Sequence, residues 1–108
     1  MPSDRVSKAL DEMVADRDWE QFHTPENLIK SISIEAGELL ECVQWAADAD
    51  LSRVRDELAD ILTYSYMLAA KLDLDPDQIV LDKLEITRLK YPVEESHGRS
   101  VKYDNPND

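Results

Sequence analysis

Apolar residues recur at helical spacing along most of the chain, and the interruptions are few. Val6, Leu10, Met13 and Val14 share one face of a segment from about Asp4 to Arg17, which predicts a first helix. The stretch Trp19-Glu20-Gln21-Phe22-His23 follows, aromatic and without helical period, and reads as a loop. Thr24-Pro25 supplies an N-cap and a first-turn proline. They open a second helix to about Ala47, with Leu28, Ile32, Leu39, Leu40, Val43 and Ala46 as its stripe. Asp48 to Ser52 reads as a polar loop. A third helix runs from about Arg53 to Leu72, with Val54, Leu58, Ile61, Leu62, Ser65, Leu68 and Leu72 aligned. Asp75-Pro76-Asp77-Gln78 has the form of a capped start for a fourth helix ending near Tyr91-Pro92. The predicted fold is therefore all-α, a four-helix domain over 1–92, with 93–108 an extended or partly disordered tail.

Composition narrows the classes of partner. The chain of 108 residues carries 12 Lys and Arg against 24 Asp and Glu, a net charge of −12. A surface this acidic does not suit a phosphate backbone, so long nucleic acids are not expected as partners. A single cysteine, Cys42, excludes an intrachain disulfide, and it reads as a small buried residue. No apolar run approaches the roughly 20 residues of a membrane span, and the first residues lack the apolar core of a signal peptide. A cytoplasmic, membrane-free protein is expected. The third helix is apolar beyond one stripe, through Ile61, Leu62, Met67, Leu68, Ala69 and Ala70. A helix of that kind needs cover on two sides, which predicts a homo-oligomer, dimer or larger.

The candidate chemistry lies in the acids. Glu35-x-x-Glu38 on the second helix and Glu57-x-x-Asp60 on the third share one pattern, offset by 22 residues. An i, i+3 spacing puts each pair on one side of its helix, at the edge of the apolar stripe. Two such helices packed by their stripes bring four carboxylates together. Between Ser31 and Ala70 the only basic residues are Arg53 and Arg55, and Arg53 can reach Glu57 at i+4. The remaining repulsion calls for a cation. Oxygen-only ligands select a hard one, Mg²⁺, with Mn²⁺ a possible substitute. Solvated helix-face charge is the plainer explanation for any one acid pair; two in register favour a site. Trp45 and Tyr64 each lie seven residues beyond an acid, Glu38 and Glu57, and either stack on a ligand or cover the core rim. His23 either bonds a ligand or satisfies a backbone carbonyl.

These residues carry a family resemblance. Glu35-x-x-Glu38 with Glu57-x-x-Asp60 resembles the signature of the MazG-type all-α nucleoside triphosphate pyrophosphohydrolases. The segments RDWEQFHTPENL, EAGELLECVQW, DELADILTY and RLKYPVEESHGRSVKY resemble its dCTP pyrophosphatase branch. The resemblance implies a dimer or dimer of dimers with Mg²⁺ on Glu35, Glu38, Glu57 and Asp60. It implies cleavage between the α and β phosphates of dCTP or a related nucleotide, to give monophosphate and pyrophosphate, as house-cleaning of the nucleotide pool. The base and sugar pocket would map onto Trp19, Glu20, Gln21, Phe22 and His23 with Trp45 and Tyr64. Leu10 stands where vertebrate members have a histidine, the 48–52 loop is shorter, and Thr87 replaces an asparagine; these departures bear on base preference. Glu38 is the expected proton acceptor, and Lys71, Lys83 and Arg88 are candidate phosphate partners. The competing class is a non-catalytic acidic oligomer that binds a partner protein or a divalent ion.

Overall fold

The computed structural model describes residues 3–45, 50–96 and 98, and these are helical throughout apart from short connections. Helix α1, Asp4–Asp16, begins at Ser3, whose hydroxyl accepts the Val6 N–H at 3.3 Å. It ends where Asp18 takes a left-handed conformation, φ 52°, and the Trp19 N–H turns back to the Val14 carbonyl at 3.1 Å. The aromatic segment expected as a loop contains a 3-10 turn, Glu20–Phe22. Three residues are too few to show a helical period, so the pattern could not reveal it. Asn27 Nδ2 ties this turn to α2 by donating to the Phe22 carbonyl at 3.0 Å.

Helix α2, Pro25–Gln44, starts as predicted, with the Thr24 hydroxyl accepting the Asn27 N–H at 3.2 Å. Its predicted last residues, Ala46 and Ala47, lie outside the described residues. Helix α3, Leu51–Lys71, begins inside the segment expected as a polar loop. The Asp50 carboxylate accepts the N–H groups of Ser52 and Arg53 at 3.0 and 3.4 Å, which draws Leu51 and Ser52 into the first turn. At the other end Asp73 is left-handed, φ 56°, and the Leu74 N–H closes on the Ala69 carbonyl at 2.8 Å. Helix α4, Pro76–Lys90, follows, and a short helix α5, Val93–Ser96, opens the stretch expected to be extended. Residues 97 and 99–108 of that tail lie outside the described residues.

The chain divides into two compact units, one to Pro76 and one from Asp77. In the first, α2 and α3 pack against each other. Arg53 Nη2 meets Glu41 Oε2 at 3.2 Å, while Glu35 lies against Glu57 further along. Pairing of 41 with 53 and 35 with 57 makes the two helices antiparallel. Their inward lines follow from burial: Leu28, Ile32, Glu35, Leu39 and Cys42 on α2, and Val54, Glu57, Ile61, Ser65 and Leu68 on α3. Glu35 and Glu57 thus stand within the facing surfaces rather than at their edge, while Asp60 stays exposed. Leu40 and Val43, placed by periodicity on the α2 stripe, point outward and are more than half exposed. The core is thin. Among the described residues Leu28 (1% exposed), Cys42 and Ala69 are its buried members, and Leu51, Leu58 and Leu62 remain open. Among the described residues, no helix is long and apolar enough to cross a membrane.

Candidate metal centre and adjoining groove

Three of the four acids on the two facing helices converge, because the antiparallel pair presents Glu35 at the level of Glu57 and of Asp60 one turn on. One carboxylate oxygen each from Glu35, Glu57 and Asp60 lies within 4.8 Å of the others. Glu38, one turn along α2, contributes no atom to this set but stands beside Glu35. The Glu35 carboxyl is pushed up to about 7, first by sharing a hydrogen bond with the Glu57 carboxylate. Loss of water around it and the charges of Glu38 and Asp60 act in the same direction. Glu35 Oε2 and Glu57 Oε2 are buried and face no protein donor. Among the described residues, no Lys or Arg forms an ion pair with any of the four acids. Arg53, predicted to reach Glu57 along its own helix, instead crosses to Glu41 on α2.

An all-oxygen donor set with two buried oxygens lacking donors fits a hard divalent cation. Glu35, Glu57 and Asp60 are the residues that would hold it, and Mg²⁺ keeps open positions for phosphate oxygens. Burying two carboxylates side by side is unfavourable unless a cation or a shared proton compensates. Without the cation, the shared proton on Glu35 plays that part.

A groove of about 820 Å³ opens between α1 and the C-terminal end of α3. Leu10 and Val14 form its α1 wall, Met67 and Ala70 its α3 wall, and His23 reaches it from the connecting turn. Lys71 Nζ and Glu20 Oε1 meet at 3.3 Å on its lining. Asp60, Tyr64, Met67 and Lys71 fall at i, i+4, i+7 and i+11 and hence on one line of α3. Of that line Met67 and Lys71 reach the groove; the sequence pattern marks Met67 only as an apolar position of the third helix, whereas Leu10 also stands where vertebrate members have a histidine.

The other expected site residues are distributed unevenly. Tyr64 is half-buried, one turn beyond Asp60. Trp19 is 41% exposed and holds the Arg17 guanidinium 5.6 Å from its ring centre. Phe22 is exposed, and the Gln21 amide is engaged by Asp18 at 3.0 and 3.1 Å. Trp45 caps the far end of α2 and is 87% exposed. At 1.5 Å per residue it lies about 15 Å along α2 from Glu35. Lys71 lies about 16 Å along α3 from Asp60 in the opposite direction. One chain therefore does not bring Trp45 to the groove that His23 lines. Lys83 and Arg88 belong to α4 in the second unit, where Arg88 pairs with Glu85 at 3.0 Å.

Residues 30–105, which include the four acids, match the MazG-like family. The chain belongs to the MazG-like family. The relatives of this MazG-like chain include dCTP pyrophosphatase 1 of Rattus norvegicus, 39% identical over 102 residues. The protein of that name from Bos taurus is 41% identical, and the one from Homo sapiens 38%. Each alignment takes in 85% of this chain and 60% of the relative, so the chain spans about three-fifths of the curated relatives' length. The crystal structure of a pyrophosphatase from Archaeoglobus fulgidus superposes with a TM-score of 0.76 at 36% identity, covering 82% of this chain and 90% of that one. The MazG-like fold and the all-α class expected from the sequence are thus established.

Proposed function

We propose that this chain is a Mg²⁺-dependent nucleoside triphosphate pyrophosphohydrolase acting on dCTP or a related nucleotide. The observation that carries the reading is the convergence of Glu35, Glu57 and Asp60 oxygens within 4.8 Å, two of the glutamates having a buried oxygen without a donor. The dCTP pyrophosphatase and pyrophosphatase names of its relatives support the substrate class. Bound Mg²⁺ supplies charge neutralisation at the phosphates and a lowered pKa for a coordinated water. Glu35, Glu57 and Asp60 would hold the cation, and the phosphate end would be oriented through it. Glu38, beside Glu35 and outside the three-oxygen set, is the carboxylate left to accept a proton from the attacking water. Turnover removes unwanted nucleotides as a monophosphate and pyrophosphate.

The exposed apolar residues on α2 and α3 support assembly as a homo-oligomer, because Leu40, Val43, Leu58 and Leu62 are about half exposed among the described residues. Light scattering at micromolar concentration reads this directly, and a stable monomer refutes it. The activity is tested with a panel of NTPs and dNTPs, in Mg²⁺ and in EDTA, with product identification. Release of pyrophosphate in Mg²⁺ alone is the expected result. Release of orthophosphate, or no turnover of any nucleotide, refutes the reading.

A further inference from the structure

Ser31 shares one side of α2 with Glu35 and Glu38, which follow it at i+4 and i+7. The antiparallel pairing that sets 35 against 57 and 41 against 53 sets 31 against 61–63, between Asp60 and Tyr64 on the acid-bearing side of α3. Ser31 is half-buried, and its hydroxyl has no hydrogen-bond partner among the described residues. Hydroxyls inside a helix commonly bond back to their own backbone. Here the Thr63 and Thr87 hydroxyls and the Cys42 thiol each donate to the carbonyl four residues before them, at 2.8, 3.1 and 3.5 Å. The Ser31 hydroxyl does not, and it is free to donate to a ligand. Carboxylates and phosphate oxygens are both acceptors, so the four acids offer a phosphate chain no hydrogen bond of their own. The basic residues of α2 and α3 do not supply one either. Arg53 is bound to Glu41, and Lys71 to Glu20 about 16 Å along α3 from Asp60. Lys30 and Arg55 lie about 140° and 160° around their helices from Glu35 and Glu57, turned away from the acids.

We propose that Ser31 is a substrate-positioning residue whose hydroxyl donates a hydrogen bond to a phosphate oxygen of the nucleotide. The inference rests on the pyrophosphohydrolase reading for the identity of the ligand. Ser31 stands about 6 Å along α2 from Glu35, one turn from the acids that would hold the cation. A lysine or arginine at that place would pair with those acids and compete with the cation for them. A neutral hydroxyl gives the phosphate a donor and leaves the charge of the acids to the cation. It also fixes which way the phosphate chain lies across the helix pair, because a single cation contact leaves the chain free to swing about it.

The test compares wild type, Ser31→Ala and Ser31→Thr in the metal-free melt, in titration with Mg²⁺ alone, and in titration with α,β-methylene-dCTP in Mg²⁺. That analogue keeps the phosphate oxygens and is not cleaved between its α and β phosphates. Ser31→Ala is expected to melt no lower than the wild type and to bind Mg²⁺ alone equally well. It should bind the analogue about tenfold to a hundredfold more weakly, the range for a hydrogen bond to a charged acceptor. In turnover the same loss appears in KM, with kcat held within about threefold. Ser31→Thr keeps the hydroxyl and should bind the analogue within about threefold of the wild type. Undiminished analogue binding by Ser31→Ala overturns the proposal and leaves the activity reading intact. A lower metal-free melt, or an equal loss of Mg²⁺ binding, overturns it too, because the hydroxyl would then serve the fold or the metal. Binding by Ser31→Thr as weak as that of Ser31→Ala also counts against it. Failure of the wild type to bind the analogue in Mg²⁺ would defeat the proposal and the activity reading together.

Discussion

Replacing Glu35 by Gln should stabilise the metal-free protein at alkaline pH while abolishing its response to Mg²⁺. Glu35 shares its hydrogen bond with Glu57 and has its carboxyl pushed from 4.5 to about 7. Between those values the folded state holds a proton that the unfolded state has released, so the stability of the metal-free protein falls as pH rises from 4.5 through 7. Above 7 the three carboxylates are charged within 4.8 Å of one another. Two unit charges at that distance repel by about 0.9 kcal/mol even at the dielectric constant of water. Glu35 takes part in two such pairs, with Glu57 and Asp60, so its neutralisation relieves roughly 2 kcal/mol before salt screening. For a domain of this size that amounts to a rise of roughly 5–10 °C in Tm. Below about pH 4.5 the effect vanishes, because Glu35 is then protonated in the folded and the unfolded state alike and is as neutral as the Gln amide. Thermal melts at pH 5.5, 7 and 8.5 in EDTA read the difference. Repeating them in Mg²⁺ should raise the wild type by ~2.7 kcal/mol at a hundredfold excess over Kd, and the variant far less. Parallel pH dependences for wild type and variant, or equal stabilisation of both by Mg²⁺, would refute this account of the acid cluster.

Other substitutions probe other parts of the molecule. Glu38→Gln should lower kcat about 10²- to 10⁴-fold in steady-state pyrophosphate release without loss of stability in the metal-free melt, since it too relieves repulsion on Glu35, and near-normal turnover would remove Glu38 from the proton-transfer role. Leu28→Ala empties the most buried position, 1% exposed, and should cost about 2.7–5 kcal/mol in urea unfolding; a loss below 1 kcal/mol would mean that the thin core collapses around the gap. Asp73→Gly relieves a left-handed residue at the end of α3 and should gain about 0.5–1 kcal/mol in the same assay, where any loss would show that the Asp73 side chain has a stabilising partner.

Local signals determined the helices. Thr24-Pro25 starts α2 where its cap geometry is satisfied, and Pro76 starts α4, because capping and proline effects involve only neighbouring residues. The acid motifs were legible for the same reason: i, i+3 spacing guarantees a shared helix side whatever the helix packs against. The resemblance carried by those motifs was sound, since the family spans them. Only the tertiary structure decided what meets what. Rotation of α2 about its axis, which turns Leu40 and Val43 outward and Glu35 inward, depends on how the two helices dock and not on which stripe is most apolar. Arg53 bonds Glu41 rather than Glu57 because an antiparallel neighbour offers a carboxylate that no helical wheel contains. Trp45 and His23 both read as ligand contacts, yet the axial rise of the helices sends Trp45 to one end of the pair and the groove to the other. Angular position around a helix is written in the order of residues, whereas contact across helices is set by the packing free energy of surfaces distant in sequence.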